Sequence, residues 1–266
     1  MMMFRLLLIL ALAMALGTGT AAAKTRCLLV ADAASGSVVH SEGTQCEETM
    51  GPASTFKLPL ALIGFEAGIL ADPEHPAWPY KKSYEALRAV DRETTTPRRW
   101  LTESVIWFSR QLVAELGEER FAAAVRELRY GNGDVGGDAG ANNGMTHSWL
   151  NSSLQITPLE HAGFIRRMLL GELAVSREAV EHTIASLPRF EGGAGWQIIG
   201  KTGTGYVREA NGRLGKRQFG WFVGFGQREG RTLVFAYLSE DEKPGQSAAG
   251  PRTRDDLLKR WAGIAE

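Results

Sequence analysis

The sequence predicts an α+β fold, an α/β sandwich in which an antiparallel sheet is flanked by helices and carries an inserted all-helical domain. Three observations lead there. Strand-like apolar runs lie near both chain ends, at residues 26–32 and again after residue 195. Between them the apolar residues recur with helical spacing. The order is therefore strands, many helices, strands and a closing helix, which favours one sheet built from both ends of the chain.

The elements follow in order. Arg5 precedes an apolar run over residues 6–16, and Ala21-Ala22-Ala23 closes it. A positive start, a short apolar stretch and a small-residue end describe a secretory signal peptide, with cleavage expected after Ala23. Eleven apolar residues are too few to span a bilayer, so no stable membrane anchor is expected. Residues 26–32, a turn at 33–36 and a return over 37–41 read as a β-hairpin. A helix is expected over 56–70, ending at Gly68 and Asp72-Pro73. Residues 73–100 lack clean periodicity and read mostly as loop. Helices are expected over 102–116, stopped by Gly117, and over 118–128.

Residues 131–144 hold six glycines and read as a loop. Helices follow over 157–170, with Pro158 at its first position, and over 176–187. Strands are expected over 196–200, 218–226 and 231–239, the last two joined by a hairpin turn at 227–230. Residues 255–264 form the closing helix. The division expected is residues 1–23 as signal and 24–266 as a single catalytic unit. Its sheet part takes about 24–50 and 190–266, and its helical part about 51–189.

The chain has 266 residues, 44% of them hydrophobic, enough for one large core or two interlocked parts. Thirty basic residues balance thirty acidic ones, so no basic stripe points to nucleic acid. A monomer or a homodimer is compatible with this composition. The two cysteines, Cys27 and Cys46, lie close together in sequence. In an exported protein an even count favours a disulfide. Two separate buried thiols are the alternative. Histidines 40, 75, 147, 161 and 182 show no metal-ligand spacing, and no metal is expected.

Chemistry concentrates in a few motifs. Of eight lysines, only Lys57 has a serine three residues before it, in Pro52-Ala53-Ser54-Thr55-Phe56-Lys57. A serine hydroxyl is a poor nucleophile at neutral pH and needs a base beside it. A lysine three residues later on a helix shares its face. The alternative is an ordinary helix start with Ser54 or Thr55 as cap. Lys201-Thr202-Gly203-Thr204-Gly205 follows the apolar pair Ile198-Ile199. Its glycines suit a strand edge approached closely by another backbone or an acyl substrate, or else a strand-end turn. The two motifs together read as acyl transfer by a serine that uses lysine in place of histidine.

Four residues have both a bland and a functional reading. Ser104 is either a cap at a helix start or a proton shuttle. Tyr130 is either the last core residue of its helix or part of the site opened by Tyr130-Gly131-Asn132. Trp149 is either core packing or an indole N–H donor aimed at something specific. Arg252 is either solvated charge or a fork for a carboxylate, with Arg254 two residues away. Gly131, Gly133 and Gly136 match a dinucleotide-binding pattern, but no βαβ context surrounds them.

These residues resemble the class D, or oxacillinase-type, serine β-lactamases over nearly the whole mature chain. The resemblance rests on Pro52 to Lys57, Tyr130-Gly131-Asn132, Asn142-Asn143-Gly144 through Trp149-Leu150 to Ser153-Leu154, and Lys201-Thr202-Gly203. It implies hydrolysis of the β-lactam ring of penicillins and related antibiotics in the periplasm, with Ser54 acylated. It implies Lys57 as an N-carboxylated general base, carrying CO2 and needing no other cofactor. Ser104 is implied as proton relay and Trp149 as the carbamate's donor. Tyr130, Lys201, Thr202, Gly203, Thr204 and Arg252 are implied in substrate binding, with backbone N–H groups of Ser54 and Thr204 as the oxyanion hole. The family usually has valine where Ile106 stands. A penicillin-binding DD-peptidase and a non-catalytic β-lactam sensor domain are the alternatives.

Overall fold

Six strands form one antiparallel sheet in a computed structural model that describes residues 23–209, 211–245 and 247–266. They are β1 (Ala23–Asp32), β2 (Val38–Glu42), β3 (Arg189–Glu191), β4 (Gln197–Arg208), β5 (Leu214–Arg228) and β6 (Arg231–Asp241). Their order across the sheet is β2-β1-β6-β5-β4-β3. Both chain ends therefore build it, as expected. β1 runs antiparallel to β6, with Leu28 opposite Tyr237, although some two hundred residues separate them. The expected signal segment lies outside the described residues except for Ala23, the first residue of β1.

Alternate residues of each central strand face opposite sides, so each face carries its own core. On one side α8 (Ala249–Ile264) packs Leu257 and Trp261 against Leu28, Val30, Phe222 and Phe235. On the other, Leu29, Trp221, Val223, Ala236 and Leu238 meet Ala162 of α6 (Pro158–Leu169). Gly220 permits the close approach of α8. A Cβ there would stand 2.2 Å from Thr253 Oγ1 and 2.6 Å from the Ala249 carbonyl oxygen.

The remaining helices lie between β2 and β3. They are α1 (Lys57–Glu66), α2 (Pro97–Glu103), α3 (Ile106–Leu116), α4 (Glu118–Glu127), α5 (Gly144–His147) and α7 (Arg177–Ser186). Phe56, Leu60, Trp100, Phe108, Leu112, Phe121 and Trp149 are among the side chains of their shared core. Helix α1 is buried along nearly its whole length, which explains its apolar sequence on all sides.

Three boundaries differ from expectation, each for a local reason. The helix expected over 102–116 is broken. Helix α2 ends at Glu103, Ser104 turns left-handed at φ 60°, and α3 begins at Ile106. Helix α2 starts at Pro97, inside the expected loop, because the Thr96 hydroxyl caps the Arg99 N–H at 3.3 Å. The last helix starts at Ala249 rather than 255, with Pro251 in its first turn, where a missing N–H costs nothing.

Cys27 in β1 and Cys46 after β2 form the disulfide, with Cα atoms 5.0 Å apart. Among the described residues no helix is long and apolar enough to cross a membrane. Among the same residues no group of three or more His, Cys, Asp or Glu could hold a metal ion.

Candidate active site

Residues 53–56 form a 3₁₀ turn ahead of α1 rather than the first turn of an α-helix. This matters because a 3₁₀ turn has three residues per turn, which eclipses side chains i and i+3. Ser54 and Lys57 are such a pair, and Lys57 Nζ donates to Ser54 Oγ at 3.1 Å. Neither Ser54 nor Thr55 caps the turn. The Thr55 hydroxyl instead donates to the Pro52 carbonyl oxygen at 2.6 Å. Ala53, just before the serine, is held at φ 50°, and its N–H donates to the Trp149 carbonyl oxygen at 3.0 Å. The indole N–H of Trp221 holds the Gly51 carbonyl oxygen at 3.0 Å.

Strand β4 runs past this turn. Lys201 to Gly205 lie within the strand, not in a turn at its end. Gly203 is required there, since a Cβ would meet the Pro52 carbonyl oxygen at 2.9 Å and Thr55 Cγ2 at 3.1 Å. A cleft of about 590 Å³ opens between β4, the nucleophile turn, α2 and the start of α8. Ser54, Ser104, Ile106, Thr202, Gly203 and Thr204 all line it.

Two buried lysines set its electrostatics. Lys57 is fully buried, and desolvation, with the cations Lys201 and Arg88 nearby, holds its ammonium far below the ordinary range. Lys201, 1% exposed, is pushed down to about 7, first by desolvation and then by Arg88 and Arg254. Its Nζ donates to the Thr202 carbonyl oxygen at 3.1 Å. Burial thus favours the neutral amine of Lys57 over its ammonium, beside the Ser54 hydroxyl.

Trp149 is fully buried and stacks on Phe56, the residue before Lys57, at 5.5 Å between rings. Its Nε1–H has no partner among the described residues. The buried Ser104 hydroxyl also lacks one. Buried donors are rarely left unpaired, although the indoles of Trp196 and Trp261 share this state in the core.

Two expected site residues sit elsewhere. Tyr130 is fully buried among Phe56, Phe164 and His161, with its hydroxyl 3.2 Å from His161 Nε2. It belongs to the core, cannot touch a substrate, and burial raises its phenol well above the ordinary value. Arg252 is turned away from the cleft into a two-pronged pair with Asp241, at 2.9 and 2.7 Å. Asp241 is 1% exposed, so this pair is structural.

Arg254 lines the cleft instead. The reason is helical phase. Gly250 N–H donates to Thr204 Oγ1 at 2.8 Å, which places Gly250 over β4. Arg254 is one turn further along the same face. Starting the helix at 255 hides this phase; the small residues Ala249 and Gly250 before Pro251 were the available signal. Leu87, Arg88, Asp91, Tyr206 and Gln218 also line the cleft and carry no motif that marks them. His161 was passed over because it lacks ligand spacing. It packs under the nucleophile turn, 3.1 Å from Thr55 Oγ1, and burial pushes it down to about 3.

A serine against a buried lysine, beside a strand edge and a cleft, has the make-up of an active-serine acyl-transfer site. Residues 26–259 match the family model of the penicillin-binding protein transpeptidase domain. The chain is 40% identical to β-lactamase OXA-9 of Klebsiella pneumoniae over 235 residues, 88% of this chain and 85% of that one. It is 33% identical to β-lactamase OXA-1 of Escherichia coli over 79% of this chain and 74% of that one. The crystal structure of the OXA-427 class D β-lactamase superposes with a TM-score of 0.83 at 40% identity, covering 90% of this chain and 98% of that one. The chain belongs to the class D β-lactamase family.

Proposed function

We propose that this protein hydrolyses the β-lactam ring of penicillins and related antibiotics through an acyl-enzyme on Ser54. The observation that carries the reading is the 3.1 Å contact between Lys57 Nζ and Ser54 Oγ, inside a cleft shared with Ser104, Thr202 and Arg254. The OXA-9, OXA-1 and OXA-427 relatives, all named β-lactamases, support it.

Substrate lies along β4, with its carboxylate held by Thr202 and Arg254 in the cleft and drawn by the charge of the neighbouring buried Lys201. Lys57 takes the Ser54 proton as Oγ attacks the lactam carbonyl carbon. The backbone N–H groups of Ser54 and Thr204 stabilise the resulting oxyanion. The carbonyl C–N bond breaks, and Ser104 passes a proton to the leaving nitrogen. Water, activated by the same base, then cleaves the ester and restores the serine.

Lys57 also fits the family's CO2 modification. A neutral amine is the form that adds CO2, and burial favours that form of Lys57. An anion beside it would need a donor, and the unpartnered Nε1–H of Trp149 supplies one. The carbamate, when present, supplies an anionic oxygen base in place of the amine. Ile106 lines this region and helps to exclude water. The protein is proposed to act in the periplasm after removal of residues 1–23, as one catalytic unit with a sheet part and a helical part.

The test is turnover of nitrocefin together with intact mass. Steady hydrolysis, and a transient adduct on Ser54 that is absent in Ser54→Ala, are expected. Stoichiometric acylation without turnover would point to a penicillin-binding peptidase or a sensor instead.

A further inference from the structure

We infer that the Arg88–Asp91 pair is a positioning unit for Ser104, locking the broken helix in which that hydroxyl sits. The inference rests on the proposed role of Ser104 as proton relay.

Ser104 stands at the break between α2 and α3, at φ 60° and ψ 38°. A residue with a Cβ adopts this left-handed conformation only when its surroundings enforce it, at a cost of about 1–3 kcal/mol. Its buried hydroxyl has no partner among the described residues, so no side-chain bond to them holds it. Backbone bonds close the helix end there, the N–H groups of Ser104 and Val105 both donating to the Trp100 carbonyl oxygen. A further hold lies next door, in a 3₁₀ turn at Ala89–Arg92.

That turn grips the chain on both sides of Ser104. The Arg88 guanidinium donates to the carbonyl oxygen of Glu103, the residue just before the serine. The indole N–H of Trp107, three residues after it, donates to the Asp91 carbonyl oxygen at 2.6 Å. Arg99, in α2, donates to the Val90 carbonyl oxygen at 3.1 Å. The Glu103 bond fixes the peptide plane that joins residues 103 and 104, and so the φ of Ser104.

Arg88 reaches Glu103 because Asp91 orients it. Asp91 is 4% exposed and accepts from the Arg88 backbone N–H at 2.9 Å, from Nε at 3.2 Å and from Nη2 at 2.5 Å. Nη2 is the atom that also bonds Glu103. A lysine cannot make both contacts in this geometry, because it lacks the planar fork. Arg88 and Asp91 both line the cleft with Ser54 and Ser104, so the lock sits in the wall of the site.

The test is a double-mutant cycle on steady-state nitrocefin hydrolysis. Ser104→Ala alone first checks the relay; an unchanged kcat there would remove the reading on which this inference stands. With the relay established, Arg88→Met is expected to lower kcat roughly 10–100-fold while changing KM less than about threefold. Those magnitudes are of the size seen when a residue orienting a catalytic ligand is lost. In the Ser104→Ala background the same substitution should cost almost nothing, because there is no hydroxyl left to aim. Arg88→Lys should restore little. Asp91→Asn, which keeps the shape of the pair but weakens it, should show the same non-additivity. It also serves if Arg88→Met does not fold. Losses that multiply, or a rise in KM without a fall in kcat, would mean that Arg88 acts on substrate directly and would overturn the inference.

Discussion

Lys57 Nζ and Ser54 Oγ meet at 3.1 Å because a 3₁₀ turn, not an α-helix, separates them. Lys57→Ala is therefore expected to remove the base and lower kcat/KM by about 10²–10⁴-fold. Stopped-flow acylation should slow along with turnover, since the same amine serves the first step. Acylation at the wild-type rate would show that another group deprotonates Ser54.

Trp149 tests the carbamate apart from activity. With ¹³C-labelled bicarbonate, the wild-type protein should show a carbamate carbon resonance that is missing in Lys57→Ala. Trp149→Phe keeps the stack on Phe56 but removes the donor. Losing one hydrogen bond to a charged group, about 1.5–3 kcal/mol, should cut carbamate occupancy roughly 10–100-fold at limiting CO2. Its acyl-enzyme should persist longer by mass spectrometry. An unchanged resonance in Trp149→Phe would mean that the indole is only packing.

The two arginines separate cleanly. Arg254→Ala should raise KM for penicillins more than it lowers kcat, because it holds a carboxylate present in the ground state. Arg252→Ala should leave KM alone and lower stability by about 3–5 kcal/mol, since it strands the buried Asp241 carboxylate. Thermal unfolding of both variants, beside their kinetics, checks the assignment. The reverse pattern would return the carboxylate to Arg252.

Tyr130→Phe should leave KM and kcat close to wild type and cost about 1 kcal/mol, the loss of one buried hydrogen bond. Urea unfolding midpoints measure it. A large rise in KM would return Tyr130 to the site.

Lys201 gives a pH signature. Unfolded, it titrates near 10.5; folded, near 7. The folded value is depressed, so burying Lys201 costs nothing above pH 10.5. The cost grows as pH falls from there and levels off below about 7. At about 1.4 kcal/mol per pH unit, it amounts to a few kcal/mol at neutral pH. Lys201→Met should consequently be more stable than wild type at pH 7, with the gap closing towards pH 10. Equal denaturation midpoints across this range would show that Lys201 is not desolvated. Substrate binding should weaken above about pH 7 in the wild type, as Lys201 loses its charge.

The contact between Ser54 and Lys57 was legible because it is local. A serine and a lysine three apart, followed by an apolar helix, carry most of their geometry in the sequence. Lys201 to Thr204 were legible through small residues that only a close backbone approach explains. Tyr130 takes the core reading its position also allowed, while the side Arg252 faces depends on where its helix begins. For Arg252 the start lay six residues earlier than periodicity suggested, at Ala249. The break at Ser104 left no mark in the periodicity, because contacts that help to hold it come from residues 88–92, outside the helix itself. The sheet's strand content was readable; its register was not, since β1 pairs with a strand near the opposite terminus.

That last pairing governs how the molecule must come into being. A chain made from its N-terminus can close the Cys27–Cys46 bridge early, within a span of 19 residues. The β1–β2 hairpin can form at the same stage. The other edge of β1 then stays open until residues 231–241 appear, almost at the end of synthesis. Until then a buried-type apolar strand, Cys27 to Ala31, has no mate on one side. Such an edge is a template for pairing with a neighbouring molecule. A premature stop before β6 would thus do more than remove a strand. It would also take Arg254 out of the cleft with the lost C-terminal helix, and it would leave the remaining chain prone to aggregate, so that insolubility would add to damaged chemistry.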